Sequence, residues 1–410
     1  MWAREAAGGL PRPFWVLWAG MFVNRAGCFV VPFMAVYLTQ ERRFPVAAAG
    51  MVAALYGAGA AIASPLGGYL ADHAGRRVTM LGALLLGGTG MMALGFARRL
   101  EVIAPACFLV ALLGEAYRPA MQAAVADLVP PHDRVRAIGL VYWVINLGFA
   151  FGLTLAGVLA SHSFLYLFLG DGLTSIAFAL IVWRGVPETR PAPQPHAPPA
   201  RGLVGGFLAP YRDAPFVVFL VANLVAFLVF MQHTTAMPVD MTAHHVSRAA
   251  LGVVMALNGI VIVVVQPVLT ALVARFDRSR VLAAGVALMS LGFGLNAVAT
   301  NAVAYGADVV VWTLGEICVL PVAGALVADV ARPELRGRYQ GAYGLCFGLA
   351  ACGAPLIGAG VLQHAGGPVL WAGCFAAGLL AAAAQWMLGP RLRQLREERL
   401  SAAHAAGATP

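Results

Sequence analysis

Twelve mostly apolar stretches, each about twenty residues or longer and separated by short loops with arginine but no lysine, make up most of this 410-residue chain. They fall at 14–38, 47–71, 78–97, 102–129, 136–160, 163–183, 215–239, 249–274, 281–300, 303–330, 339–363 and 368–389. In hydrocarbon no water satisfies backbone N–H and C=O groups, so such stretches can only be helices or barrel strands. The ten-residue alternating segments of a barrel do not occur here. With 60% hydrophobic and 11% charged residues, the chain has more apolar surface than a soluble domain could hide. The fold class expected is an all-α membrane protein of twelve transmembrane helices.

Charge sets the orientation. With the N-terminus inside, twenty of the 27 arginines fall in cytoplasmic segments and five in outer loops. That bias follows the positive-inside rule and predicts both termini in the cytoplasm. Arginines gathered, all but two, in short loops and ends at membrane edges argue against nucleic acid as a partner. The six cysteines lie inside spans with no metal-ligand or CxxC spacing, and read as packing residues. No cleavable leader follows the first residues, so the first span is expected to be retained.

Two stretches nearly repeat each other: LLGEAYRPAMQAAVADLVPPHDRVRAIG from Leu112 and TLGEICVLPVAGALVADVARPELRGRYQG from Thr313. Glu115 matches Glu316, Asp127 matches Asp329, Arg134 matches Arg336 and Arg136 matches Arg338. The Pro-rich stretch Pro187–Gly202 divides the chain at the same offset. The expected organisation is an N-terminal six-helix bundle (1–185), a cytoplasmic linker (186–213), a C-terminal six-helix bundle (214–390) and a tail (391–410) at the membrane surface. A duplicated membrane unit with an embedded acid in each copy is the plan of a transporter with a midplane site.

The loop after span two reads GGYLADHAGRR from Gly67. It resembles the GxLaDrxGr[RK] signature of the major facilitator superfamily, with His73 in place of an arginine. The resemblance implies a cytoplasmic gate of Gly68, Asp72, Gly75, Arg76 and Arg77, with Asp127 pairing with the loop arginines and Asp72 facing the start of span eleven near Arg336. Asp329 and Arg338 join this set through the repeat. In the matching loop of the second half Arg275 stands for Asp72, which predicts a weaker latch there. Gly139, Gly148, Gly152 and Gly157 resemble the span-five glycine pattern of the superfamily's exporters, with Leu153 and Ala156 as departures. The arginine usual in span four of its drug/proton antiporters would fall near Cys107 and is missing.

Charges at depth are the candidate site. Asn24 and Arg25 in span one, Glu115 and Arg118 in span four and Glu316 in span ten each lie roughly 15–20 Å from a membrane edge at 1.5 Å per residue. Opposite signs should meet there, with Glu115 beside Arg118, or Arg118 facing Glu316 across the cavity. Tyr117-Arg118-Pro119 and Leu314-Gly315-Glu316 with Pro321 resemble motifs of the proton-coupled oligopeptide transporters. Met21 and Asn24 replace the two glutamates of that branch's span-one motif. Glu316, Glu115 and Asp171 are the candidate proton-coupling acids, no cofactor beyond the proton being implied. Tyr37, Tyr142, Asn146, Gln232, His233 and Asn258 are candidate cavity residues, along with the aromatics Phe29, Phe33, Tyr56, Trp143, Phe230 and Trp312. Asp240 and Asp308, near outer ends, are expected to be solvated.

No nucleophile–base set or HExxH arrangement points to an enzyme. The expected function is proton-coupled antiport that exports amphipathic small molecules, by a single polypeptide in a bacterial plasma membrane. The alternative is proton symport of peptides or similar small zwitterions.

Overall fold

The computed structural model describes residues 8–28, 30, 33–34, 37–190, 208–234 and 236–405. The middle of the expected linker, residues 191–207, and Phe29 lie outside them. Among the described residues all regular structure is helical, and eleven helices are long and apolar enough to cross a membrane. The helix Arg12–Ala26 begins the first expected span, which completes the twelve.

Helix starts are written locally. Ser163, Asp213, Ser247, Asp277 and Asn301 each accept backbone N–H bonds two or three residues on, satisfying donors a first turn leaves open. Span four breaks into Leu100–Gly114 and Tyr117–Leu128 at the embedded charges. Pro119 has no N–H to offer the Glu115 carbonyl, and the Arg118 N–H reaches it instead at 3.1 Å, a tighter turn that kinks the helix. The last helix, Gly367–Ala405, runs well past residue 389. The expected tail therefore continues this helix. Arg393 pairs with Asp277 at 3.1 Å and Arg396 with Asp329 at 3.0 Å, which binds it to the arginine-rich end of the second half.

Apolar packing forms one cluster in the second half, centred on Phe216, Phe227, Phe293 and Trp312, and two in the first, around Phe14 and Phe178 and around Cys107 and Phe168. The halves meet where span two packs on span eleven, and where span five packs on spans eight and ten. Glycine permits the closest approach. A Cβ on Gly68 would fall 2.1 Å from the Gly337 carbonyl, and one on Gly337 would fall 2.4 Å from the Gly68 carbonyl. Cross-half contacts continue along spans two and eleven through Gly341 and Gly348 to Gly57 beside Cys352. Further toward the opposite end, Gly50, Gly252 and Gly360 face open space. Among the described residues the contacts between the halves run from the arginine-rich end to the level of Gly57 beside Cys352 and of Tyr142 beside Glu316.

Candidate functional site

The two repeated glutamates occupy different surroundings. Glu115 forms an ion pair with Arg118 on its own helix and accepts a hydrogen bond from Tyr56 of span two at 3.1 Å. Glu316, 2% exposed, accepts from Tyr142 of span five, in the other half, and from Asn258 of span eight at 2.7 Å. Asn258 also donates to Thr313 at 3.1 Å. Among the described residues no basic side chain pairs with Glu316. The alternative in which Arg118 bridges to Glu316 is thus corrected: the kink at Pro119 turns Arg118 back onto Glu115, one turn away. Tyr56 and Asn258 stand at the repeat offset, so each glutamate takes its own-half neighbour from the same position of span two or eight.

Arg25 and Asn24 belong elsewhere. With Tyr56, Glu115, Tyr117, Asp171 and Ser175 they line a cavity of about 50 Å³ inside the first half, room for a few waters. It is not the crevice between halves where the sequence put them. Arg25 donates to the Tyr117 hydroxyl, and Asn24 donates to Ser175 at 3.0 Å. Asp171 accepts from the Val30 N–H at 3.3 Å. Arg25 brings positive charge beside Glu115, while Asp171 adds a second acid to the same small cavity.

Several candidate cavity residues pack instead. Tyr37, 3% exposed, accepts from Arg42 at 2.7 Å and lies edge-on to Phe168. Gln232 donates to the Ala354 carbonyl at 3.1 Å, tying span seven to span eleven. The His233 ring lies against Phe230 and Trp312, with Nδ1 2.6 Å from the Phe230 carbonyl. Asn146 donates to the Tyr142 carbonyl on its own helix at 3.0 Å. Trp143 donates across the halves to the Val263 carbonyl at 2.9 Å.

At the arginine-rich end two latches mirror each other. Asp127 takes Arg76 of its own half at 3.1 Å and Arg336 of the other at 2.5 Å. Asp329 takes Arg278 of its own half and Arg134 of the other at 2.5 Å. Asp72 adds bonds to the N–H groups of Gly337 and Arg338, both at 2.9 Å, and Arg338 stacks over Tyr69. Gly75 makes the turn between spans two and three at φ +111°, a conformation that needs glycine. Arg77 has no part in the cross-half contact, because it donates to the Trp183 carbonyl at the end of span six. The second latch is not the weaker one in ion pairs: Arg275 is exposed, yet Asp329 gathers three guanidinium groups. Sequence reasoning missed Arg278, although it stands at the repeat offset from Arg76. Asp240 and Asp308, 4% and 5% exposed, are buried and not solvated.

Comparison with known proteins agrees with this geometry. The family model for the Major Facilitator Superfamily matches residues 17–239 and again 219–408. The multidrug resistance protein MdtH of Aeromonas salmonicida (strain A449) is 29% identical over 67% of this chain and 68% of its own. A Na(+), Li(+), K(+)/H(+) antiporter of Planococcus maritimus is 23% identical, covering 82% of this chain and 86% of its own. The crystal structure of a bacterial homologue of the iron transporter ferroportin, in an outward-facing state with soaked iron, superposes with a TM-score of 0.75 at 13% identity. That match covers 92% of this chain and 99% of that one. The chain belongs to the Major Facilitator Superfamily, a multi-pass membrane transporter and not an enzyme.

Proposed function

We propose that this protein is a proton-coupled antiporter that exports amphipathic small molecules, lipophilic monocations in particular, with Glu316 as the acid that couples the two fluxes. The observation that carries the reading is the company Glu316 keeps: a hydroxyl from the opposite half and an amide from its own, with no ion-paired cation among the described residues. A buried carboxylate without a counter-charge is costly and gains from binding a proton or a positive ligand. It cannot hold both at once, and that competition is the physical content of antiport. Glu115 already has Arg118, so the first half is closer to charge balance.

The positive-inside rule makes the arginine-rich end cytoplasmic, so the arrangement corresponds to an outward-open state. Substrate would leave outward as a proton takes its place on Glu316. Proton release to the cytoplasm would then follow once the Asp127 and Asp329 latches part. Two relatives, a multidrug resistance protein and a cation/proton antiporter, support a reading of export and antiport. A second reading rests on Arg118, whose side chain is 48% exposed despite its ion pair. It would accept the carboxylate of a zwitterion in proton symport.

Inside-out vesicles with an imposed pH gradient, acid inside, separate the two. Antiport predicts that ethidium accumulates inside while the gradient dissipates. Uptake of a dipeptide driven by a gradient of the opposite direction, without ethidium flux, would contradict antiport and favour symport.

A further inference from the structure

The outer end of the second half holds a buried polar centre that the latch and the embedded glutamates do not use. Asp240, in the helix Ala236–Ala243 after span seven, accepts from the Tyr305 hydroxyl at 2.7 Å and the Trp371 indole N–H at 2.8 Å. His244 lies 3.0 Å from the Tyr305 hydroxyl, and its side chain is 36% exposed. One turn further along span ten is Asp308, 5% exposed, whose Oδ2 has no hydrogen-bond partner. Gly292 of span nine comes so close that a Cβ there would lie 2.9 Å from the Asp308 backbone oxygen. Asn296, one turn on from Gly292 and 1% exposed, folds its amide back on that helix and leaves Oδ1 without a partner as well.

Two bare acceptor oxygens, with no ion-paired cation among the described residues, suit a neutral acid better than a carboxylate. The acid's O–H is the donor the pocket lacks, whereas a bare buried charge costs several kcal/mol. Position gives the proton a route. Tyr305, Asp308, Trp312 and Glu316 are spaced by three, four and four residues, which places them along one face of the helix Ala302–Val330. Trp312 sits between the two acids with a buried indole N–H that also lacks a partner. Tyr305, one turn back on the same helix, is the neighbour that links Asp308 to Asp240 and His244, and span nine meets Asp308 at Gly292. Spans eight and twelve bring Leu257 and Trp371 to this end.

We propose that Asp308 is a second proton-binding residue of the transport cycle, loaded from the outer surface past His244, Asp240 and Tyr305, and that it passes its proton inward along the same helix face to Glu316. The inference rests on Glu316 being the coupling acid. Outer water gives a proton to the Asp308 carboxylate, forming the neutral acid. The O–H bond then breaks toward a water admitted as the halves move, that water passes a proton on to Glu316, and Asp308 returns to the anion. The two acids are eight residues apart, about 12 Å along the helix, and the transfer between them leaves their summed charge unchanged.

Infrared pH-difference spectra of the full-length protein in liposomes test this directly, with wild type, Asp308→Asn and Glu316→Gln compared. Two protonated-carboxyl components should respond to external pH: Glu316→Gln should keep the Asp308 component, and Asp308→Asn should lose it while keeping that of Glu316. Asp308→Glu should recover a band, which separates loss of the acid from loss of the fold. In ethidium flux, Asp308→Asn should slow the pH-driven phase by about a hundred-fold and spare equilibrium exchange. Spectra of Asp308→Asn and wild type that coincide, or pH-driven flux unchanged in Asp308→Asn, would overturn the proposal. If wild type moves no ethidium, the substrate reading fails, and the band still decides Asp308.

Discussion

Glu115 and Glu316 share a repeated sequence and a helix position, yet one is paired with arginine and the other with a tyrosine and an asparagine. The repeat makes both acids legible in the sequence, and the apolar stretches around them put both at depth. Their partners were not legible, because each choice depends on helices distant in sequence. Tyr142 reaches Glu316 from 174 positions away, and the i, i+3 geometry that draws Arg118 to Glu115 competes with a cross-half pair that spacing alone cannot weigh. Tyr142→Phe should remove a charge-assisted bond between the halves, about 1.5–3 kcal/mol. Double electron–electron resonance between labels on the cytoplasmic ends should then show a larger population with that end open. An unchanged distance distribution would mean that the tyrosine does not hold the halves together.

At the scale of elements, the arginine-rich end is held by backbone proximity and by buried ion pairs. Gly68 and Gly337 let spans two and eleven touch, and a valine at Gly68 would drive two methyl groups into a carbonyl already in contact. Gly68→Val should prevent closure there, so a cysteine placed on the cytoplasmic side becomes reactive to a membrane-impermeant maleimide and transport is lost. Asp127→Asn removes the carboxylate shared by Arg76 and Arg336, but Arg76 keeps Asp72 at 3.1 Å, so the loss should fall below about 3–5 kcal/mol, the cost of a buried charge left bare. Thermal unfolding in detergent should register it as a lower midpoint. The loop motif made Asp72, Arg76 and Asp127 readable from sequence. The part played by Arg396 was not, because the sequence gives no sign that the last helix continues past the membrane edge and returns an arginine to Asp329. Asp240 and Asp308 escaped for a related reason: their distance from the helix end suggested water, while Trp371 of span twelve bonds Asp240 and span nine packs against Asp308 at Gly292.

The whole molecule is two similar bundles that close at the arginine-rich end, with Glu316, which no cation pairs with among the described residues, where Tyr142 of the other half reaches it. Duplication, span number and charge bias were all visible in the sequence, since each is a property of local composition. Which bundle carries coupling was not, and the small cavity that draws Arg25 and Asp171 into the first half could not be foreseen without its five-span packing. On the proposed reading, the second half moves protons through Glu316 while the first half, with Glu115 paired to Arg118, keeps its charges near balance. Reconstituted Glu316→Gln measured for both ethidium counterflow and pH-gradient-driven ethidium flux tests it most directly. The account expects counterflow to persist and the response to the pH gradient to vanish; gradient-driven flux equal to wild type in that variant would contradict it.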